Sequence, residues 1–552
     1  MKNQLKFSIF LFVLLGLISC SSSKEAFSKK DIVSAQKLYG VEFSENAIDT
    51  MYNYVLRNSE GYDTMRNYSL GNNVFPAVLF DPIPRQFTWP IIDEACDYVP
   101  DYDKVTIDNE EVALMTVAEL GKMLRNGEIT SVELTQLYID RIKKYDPTLK
   151  CVITLMEKDA LSRARLADEE LSQGQDRGPL HGIPYGVKDL VAVEGYPTTW
   201  GSMPYKNQVI NHTATIVHRM NDAGAVLLAK LTSGALARGD VWWGGQTVNP
   251  WDTLQGASGS SAGSGSATSA GLVGFSIGTE TLGSITSPSN RNGVTGLRPS
   301  YGRVSRDGVM SLSWSMDKVG PICRSAEDCL LVFQVIQGDD ENDPTTYDLP
   351  FCYEERDISS LKIGNLKSLF EKDTTRSMDS IENRMSIFDH LSINMTEDSL
   401  PGNAPFRGFD VILRAESGAF FDELVRSGKV DVMVQQGQRS RANSLRQSRF
   451  IPAVEYLQAN RHRRILIEDM HEFMSKYDVV VSPTFGGSQL QITNLTGHPV
   501  VTIPMGLDHE GHPVSITLIG RLFEEDKILQ VAMYLQEHMK YDNMHPPLFL
   551  SD

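Results

Sequence analysis

The 552-residue chain has no apolar run long enough to cross a bilayer. Its one long apolar stretch, Phe7 to Ile18, falls short of the roughly 20 residues that a spanning helix needs. Positive charge is also in short supply. Lys and Arg number 52 against 70 Asp and Glu, a net charge of −18. That argues against nucleic acid as a partner, because phosphate binding needs clustered cations. Cysteine is scarce: Cys20, Cys96, Cys151, Cys323, Cys329 and Cys352. Their spacings match no metal-binding pattern, so neither a metal nor a cofactor is implied. A disulfide is permitted outside the cytoplasm. Nothing in the spacing pairs the cysteines after Cys20, and mostly free, buried thiols are expected. No internal repeat stands out.

The sequence opens on a leader. "MKNQLKFSIFLFVLLGLISCSSSKE" sets Lys2 and Lys6 ahead of the apolar run and reads as a secretory signal over 1–19. Its end, Leu17-Ile18-Ser19-Cys20, resembles the lipobox of bacterial lipoproteins. The implied processing is cleavage before Cys20, a lipid on its sulfur, and a lipidated tether over 20–30. The expected location is the bacterial cell envelope, attached to membrane through Cys20. Ser21, where Asp would favour inner-membrane retention, points to the outer membrane.

A mostly helical extension is expected over 31–114. Helical patterning in "DIVSAQKLYG" and "ENAIDTMYNYVLRNSEGYDTMRNY" gives way there to the Pro-rich "FDPIPRQFTWP". From 115 to 545 helices alternate with short apolar strands, the α/β pattern. "KCVITLM", "HGIPYGVKD", "YDVVVSPTF", "GHPVVTIPMG" and "PVSITLIG" read as strands; "EEDKILQVAMYLQEHM" reads as a closing helix. The charged stretch 340–450 is expected to be helices and loops inserted in this domain and to set substrate specificity.

The stretch "GASGSSAGSGSATSAG", 256–271, has the composition of a flexible linker. A linker should lead to a new domain, yet an apolar strand follows at once. Residues 260–270 can instead form a close-packing helix roughly 17 Å long. The strand 272–278 returns by roughly 20 Å. Out and back nearly match, which brings Ser260 beside Ser284. Generic alternatives are G-x-S-x-G matches at Ser261 and Ser276 and an S-x-x-K match from Ser315 to Lys318. They lack the strand–turn–helix setting or the further motifs that those readings need.

Together "HGIPYGVKD", "SGSSAG" and "GTETLGSIT" resemble the core of the amidase signature family, with 24 residues from Ser260 to Ser284. "AGAVLLAKLTS", "NPWD", "GVTGLRPSYGRVSRDGV" and "NLTGHPVVTIPMG" agree. The resemblance implies a mixed central β-sheet covered by helices on both sides. It implies that Ser284 is the nucleophile, Lys188 the base and Ser260 the relay, with a cis peptide before Ser260. The backbone N–H groups of Thr281, Leu282, Gly283 and Ser284 would form the oxyanion hole. A serine hydroxyl needs a neighbouring base. Lysine serves only when neutral, and lowering its pKa from about 10.4 to about 7 takes roughly 4–5 kcal/mol.

The implied activity is that of an amidase on linear carboxylic amides outside the peptide-bond class, with esters as a further substrate type. A small-molecule amide is the expected substrate. The alternatives are a glutamine amidotransferase A-type subunit, or a non-catalytic binding lipoprotein of the same fold. Departures from the family pattern fall on the turn. Leu282 replaces a glycine, so a positive φ there would strain it. Glu280 and Thr286 replace the family's Asp and Arg, and Arg291 is the expected substitute partner for Glu280.

Overall fold

The computed structural model describes residues 27–550 apart from 69, 73, 93–94, 110 and 372–384. The leader and Cys20 lie outside the described residues. The chain divides into two compact units, 1–71 and 72–552. In the first, two helices run over Lys29–Tyr39 and Glu45–Met65. Gly40 stops the first helix at φ 67°. Ser44 caps the second by accepting the Ala47 N–H at 3.3 Å.

The second unit is built on one sheet. Its strands, in chain order, are β1 (Val152–Leu155), β2 (Pro184–Lys188) and β3 (Val226–Leu231). Two short ribbons follow, β4 (Val241–Trp242) with β5 (Gly245–Gln246) and β6 (Val248–Asn249) with β7 (Asp252–Gly256). Then come β8 (Phe275–Glu280), β9 (Thr295–Arg298), β10 (Lys318–Cys323), β11 (Ile363–Asn365) and β12 (Met395–Glu397). The last three are β13 (Val479–Pro483), β14 (Val500–Leu507) and β15 (Pro513–Gly520).

The large sheet has the order β1-β3-β2-β8-β10-β9-β14-β15-β13-β11-β12. It is mixed: β3, β2 and β8 run parallel, as do β13, β11 and β12, and the centre is antiparallel. Every residue of β2, β3, β8, β10, β13 and β15 is buried, so these strands read as continuous apolar or small-residue runs. Helices flank the sheet on both faces. Among them are Ser131–Leu149, opened by a Thr130–Glu133 capping box, and Glu525–Met539. No helix among the described residues is long and apolar enough to cross a membrane.

Two expectations need revision. Among the described residues the extension is α-helical only up to Met65, with one further short turn of 3-10 helix at Val112–Leu114. Among the described residues, 72–111 contains no helix. Pro82, Pro84 and Pro90 lack N–H donors and hold the chain extended. This segment is a strap on the second unit. Arg464 donates to the Ile83 carbonyl at 2.7 Å, Arg463 lies 3.5 Å from the centre of the Phe80 ring, and Cys96 is disulfide-bonded to Cys352. The 340–450 stretch, in turn, is not only helix and loop. It contributes β11 and β12 to the sheet edge, strands of three residues each. Such strands are too short for a hydrophobic period to register. Cys151, Cys323 and Cys329 are free and buried, as expected for most of the thiols.

Candidate active site

The small-residue stretch is no linker. β7 ends at Gly256, the Gly259–Ser260 peptide is cis, and a helix runs over Ala262–Ser269 with every residue buried. Small residues are required there: a Cβ on Gly263 would sit 2.3 Å from the Thr232 nitrogen and 2.4 Å from the Cys151 carbonyl oxygen. β8 then brings the chain back. The Ser261 N–H donates to the Ser284 carbonyl at 3.2 Å, so the two serine segments meet. The helix starts two residues and the strand three residues later than predicted.

Lys188 ends β2, between β3 and β8, and is fully buried. Its Nζ lies 2.8 Å from Ser260 Oγ, 3.0 Å from Ser261 Oγ and 2.8 Å from Thr279 Oγ1. Ser261 donates its own proton to the Thr279 carbonyl at 3.1 Å. Its oxygen is therefore an acceptor for one Lys188 N–H, and Thr279 Oγ1 takes a second. A neutral amine has then one lone pair left, and Ser260 is the partner that remains for it. Burial pushes the Lys188 amine well below its ordinary value, against the opposing pull of Asp317 and Glu280.

Ser284 follows β8 in the turn Thr281-Leu282-Gly283-Ser284. Among the described residues the N–H groups of these four donate to no acceptor, and the Ser284 hydroxyl makes no hydrogen bond. Four uncommitted donors in one turn are free to donate to an anion. The left-handed position is Gly283, at φ 88°; Leu282 is not at positive φ and carries no backbone strain.

The turn is held at both ends. Glu280 is fully buried, and one of its oxygens accepts the N–H groups of Ile285 and Thr286, each at 2.9 Å. The other oxygen accepts from Arg298 at 2.7 Å and from Asn494 at 2.8 Å. The expected Glu280–Arg291 pair is therefore wrong. Arg298, on β9, is the partner, and Arg291 faces Gln255. Burial would raise the Glu280 carboxyl, but Arg298, the Thr286 N–H and Asn494 outweigh it and hold the group at about 2. On the other side Thr281 donates its hydroxyl to buried Asp317 at 2.5 Å.

The competing serines are committed to structure. Ser276 donates within the core towards Ser264 and Ile322 carbonyls. Ser315 donates to Glu416 at 2.8 Å and accepts from Arg463. The nearby histidines are also structural. His181, at the far end of β2, accepts the Arg177 N–H and faces Glu170. Buried His498 bonds Thr496, and burial, with Arg298 and His471, pushes it down to about 3.

The fold thus gathers Lys188, Ser260 and the Ser284 turn at one place. Sequence reasoning missed Thr279, Ser261 as a Lys188 partner, Arg298 and Asp317. One signal was available. Successive residues of a strand face opposite sides, so Thr279 and Glu280 had to serve different neighbours.

A family model described as Amidase matches residues 133–493. The chain is 34% identical over 478 residues to the A subunit of glutamyl-tRNA(Gln) amidotransferase from Methylococcus capsulatus, covering 78% of this chain and 98% of that protein. It is 33% identical to the corresponding protein of a Marinomonas species, with 78% and 98% covered. Among solved structures, a peptide amidase from Stenotrophomonas maltophilia superposes with a TM-score of 0.69 at 29% identity, covering 79% of this chain and 99% of that one. The motifs, the fold and these matches agree: the chain belongs to the amidase signature family.

Proposed function

We propose that the protein is a serine amidohydrolase that cleaves a linear carboxylic amide through an acyl-Ser284 intermediate. The supporting observation is a buried lysine whose lone pair is left for Ser260, beside a turn of four uncommitted N–H donors. In the forward step Ser260 gives its proton to the Lys188 amine and takes that of Ser284. The Ser284 oxygen attacks the carbonyl carbon. The oxyanion that forms is stabilised by the N–H groups of 281–284. Collapse breaks the C–N bond, and the departing amine recovers the proton from Lys188 through Ser260. Water then repeats the cycle on the ester and releases the acid.

The 340–450 stretch supports its reading as the specificity element. It carries buried Arg441, which donates to the carbonyls of Leu236 and Ala237 at 3.0 and 3.1 Å. Ala237 lines a small cavity together with Thr279, Thr281 and Asp317. The Cys96–Cys352 disulfide favours an oxidising compartment, in keeping with a lipid-anchored envelope protein.

A second reading, a glutamine amidotransferase A-type subunit, is favoured by the 34% identity to such a protein. The test treats the chain lacking its leader with a fluorophosphonate, followed by intact mass and ammonia release from glutamine and from a panel of simple amides. A single adduct on Ser284, absent in Ser284→Ala, supports the mechanism. Turnover of simple amides by the chain alone supports the first reading; glutamine turnover only with added partner subunits supports the second. Labelling that survives in Ser284→Ala defeats both.

A further inference from the structure

The loop 234–239 is the seat of the relay serine. The Gly234 N–H donates to the Ser260 carbonyl at 3.3 Å. A Cβ on Gly259 would sit 2.0 Å from the Gly239 carbonyl oxygen, and a Cβ on Gly234 would sit 1.9 Å from the same atom. Loop and relay segment therefore meet backbone to backbone, with no side chain between them to absorb a shift. The loop also reaches the small cavity beside the Ser284 turn. Ala237 lines it together with Thr279, which accepts from Lys188, and with Thr281 of the turn.

Two residues of this loop stand in a conformation that side chains disfavour. Leu236 and Ala237 have φ 49° and 56° in succession. A Cβ makes the left-handed region costly, so such a pair persists only where its surroundings hold it. One tie is the Leu236 N–H, which donates to the Trp200 carbonyl at 2.9 Å. The other is Arg441, at the start of the helix Arg441–Ser448. Its Nε donates to the Leu236 carbonyl at 3.0 Å and its Nη2 to the Ala237 carbonyl at 3.1 Å. A flat guanidinium can span two successive carbonyls; the point charge of lysine cannot match that fork. Arg441 is 5% exposed, and these two carbonyls are its side chain's acceptors among the described residues. Burial, with Arg238 adding to it and Asp317 opposing, pushes Arg441 down to about 9, so it stays a cation at neutral pH.

We propose that Arg441 is a positioning residue of the reaction: it clasps Leu236 and Ala237, fixes the loop 234–239, and through the Gly234–Ser260 bond holds the relay serine at Lys188. The inference rests on the acyl-Ser284 mechanism. It ties the 340–450 stretch to the proton relay as well as to the substrate.

An alkyl fluorophosphonate tests the clasp on the chain lacking its leader. Intact mass against time, at several concentrations, separates the saturating acylation rate from the half-saturating concentration. Wild type should be labelled on Ser284; absence of that adduct defeats the mechanism and the clasp with it. With wild type labelled, Arg441→Lys should lower the saturating rate about tenfold or more and leave the half-saturating concentration within about twofold. Ala237→Gly takes the Cβ from a left-handed position, so adding it to Arg441→Lys should restore part of the rate. Thermal unfolding of each chain is followed alongside. If Arg441→Lys is unfolded at the assay temperature, Ser440→Ala takes its place. Ser440 accepts the Asn443 N–H at 3.1 Å, so its loss frees only the helix end that carries Arg441, and the rate should again fall. With wild type labelled on Ser284, three results overturn the clasp alone. The folded variant keeps the wild-type rate; or the half-saturating concentration rises while the rate holds, which makes Arg441 a ligand contact; or Ala237→Gly restores nothing.

Discussion

Glu280→Gln is the most informative single substitution. Its carboxylate joins three things: the Arg298 guanidinium, the Asn494 amide and the N–H pair just beyond Ser284. A glutamine keeps the shape but has one oxygen. Turned one way, its NH₂ meets the N–H groups of Ile285 and Thr286. Turned the other way, its NH₂ meets Arg298 and Asn494, and in either orientation the buried guanidinium is left without a counter-charge. Breaking a buried pair from one side costs about 3–5 kcal/mol. The ionisation gives an independent figure. Holding a carboxyl at about 2 instead of its ordinary 4.5 is worth roughly 3 kcal/mol.

The two figures agree, and the second carries a pH signature. The folded pKa is depressed, so this stability is present above the ordinary carboxyl value and is lost as pH falls towards about 2. Urea unfolding at neutral pH should show Glu280→Gln weaker by about 3 kcal/mol. The gap should close as pH drops through about 4 towards 2. Loosening the turn also displaces the N–H groups of 281–284, so under the proposed mechanism acylation by a fluorophosphonate should slow by about a hundredfold. Wild-type urea stability together with a wild-type acylation rate would refute the clamp.

Three further outcomes are expected. Lys188→Ala should lower the acylation rate by orders of magnitude, while wild type loses activity towards acid as the amine protonates; loss of catalysis in His181 or His498 variants with Lys188→Ala near normal would replace the assignment by a histidine mechanism. Thr279→Val removes an acceptor that favours the charged amine, so the acid limb should move to lower pH, read from acylation rate against pH. Cys20→Ser should release the protein from membranes or leave its leader uncleaved, scored by fractionation and intact mass.

What could be read from the sequence followed the range of the interactions. Lys188, Ser260 and Ser284 carry their signal in spacing, and the helix-out, strand-back arithmetic was enough to place the two serines together. Arg298 was not legible as the partner of Glu280. Both Arg291 and Arg298 lie downstream, and only the antiparallel placing of β9 beside β10 and β14 decides between them. Thr279 was missed because it sits one residue from the conspicuous Glu280 and serves the opposite face. The strap was misread because its structure comes from docking rather than from any period of its own. The three-residue strands β11 and β12 gave too little pattern to separate them from loop.

The Cys96–Cys352 bond has a consequence for how the chain holds together. It closes a ring across a sequence separation of 256 residues, and Lys188, Ser260 and Ser284 all lie inside that ring. As the chain emerges from its N-terminal end, Cys96 appears long before its partner. The next thiols to follow are Cys151, Cys323 and Cys329, and oxidation in order of appearance would join Cys96 to Cys151. All three are fully buried in the finished domain. In the folded domain burial keeps these three thiols apart from the Cys96–Cys352 pair. A backbone cut between 96 and 352 would leave the pieces joined until a reductant is added.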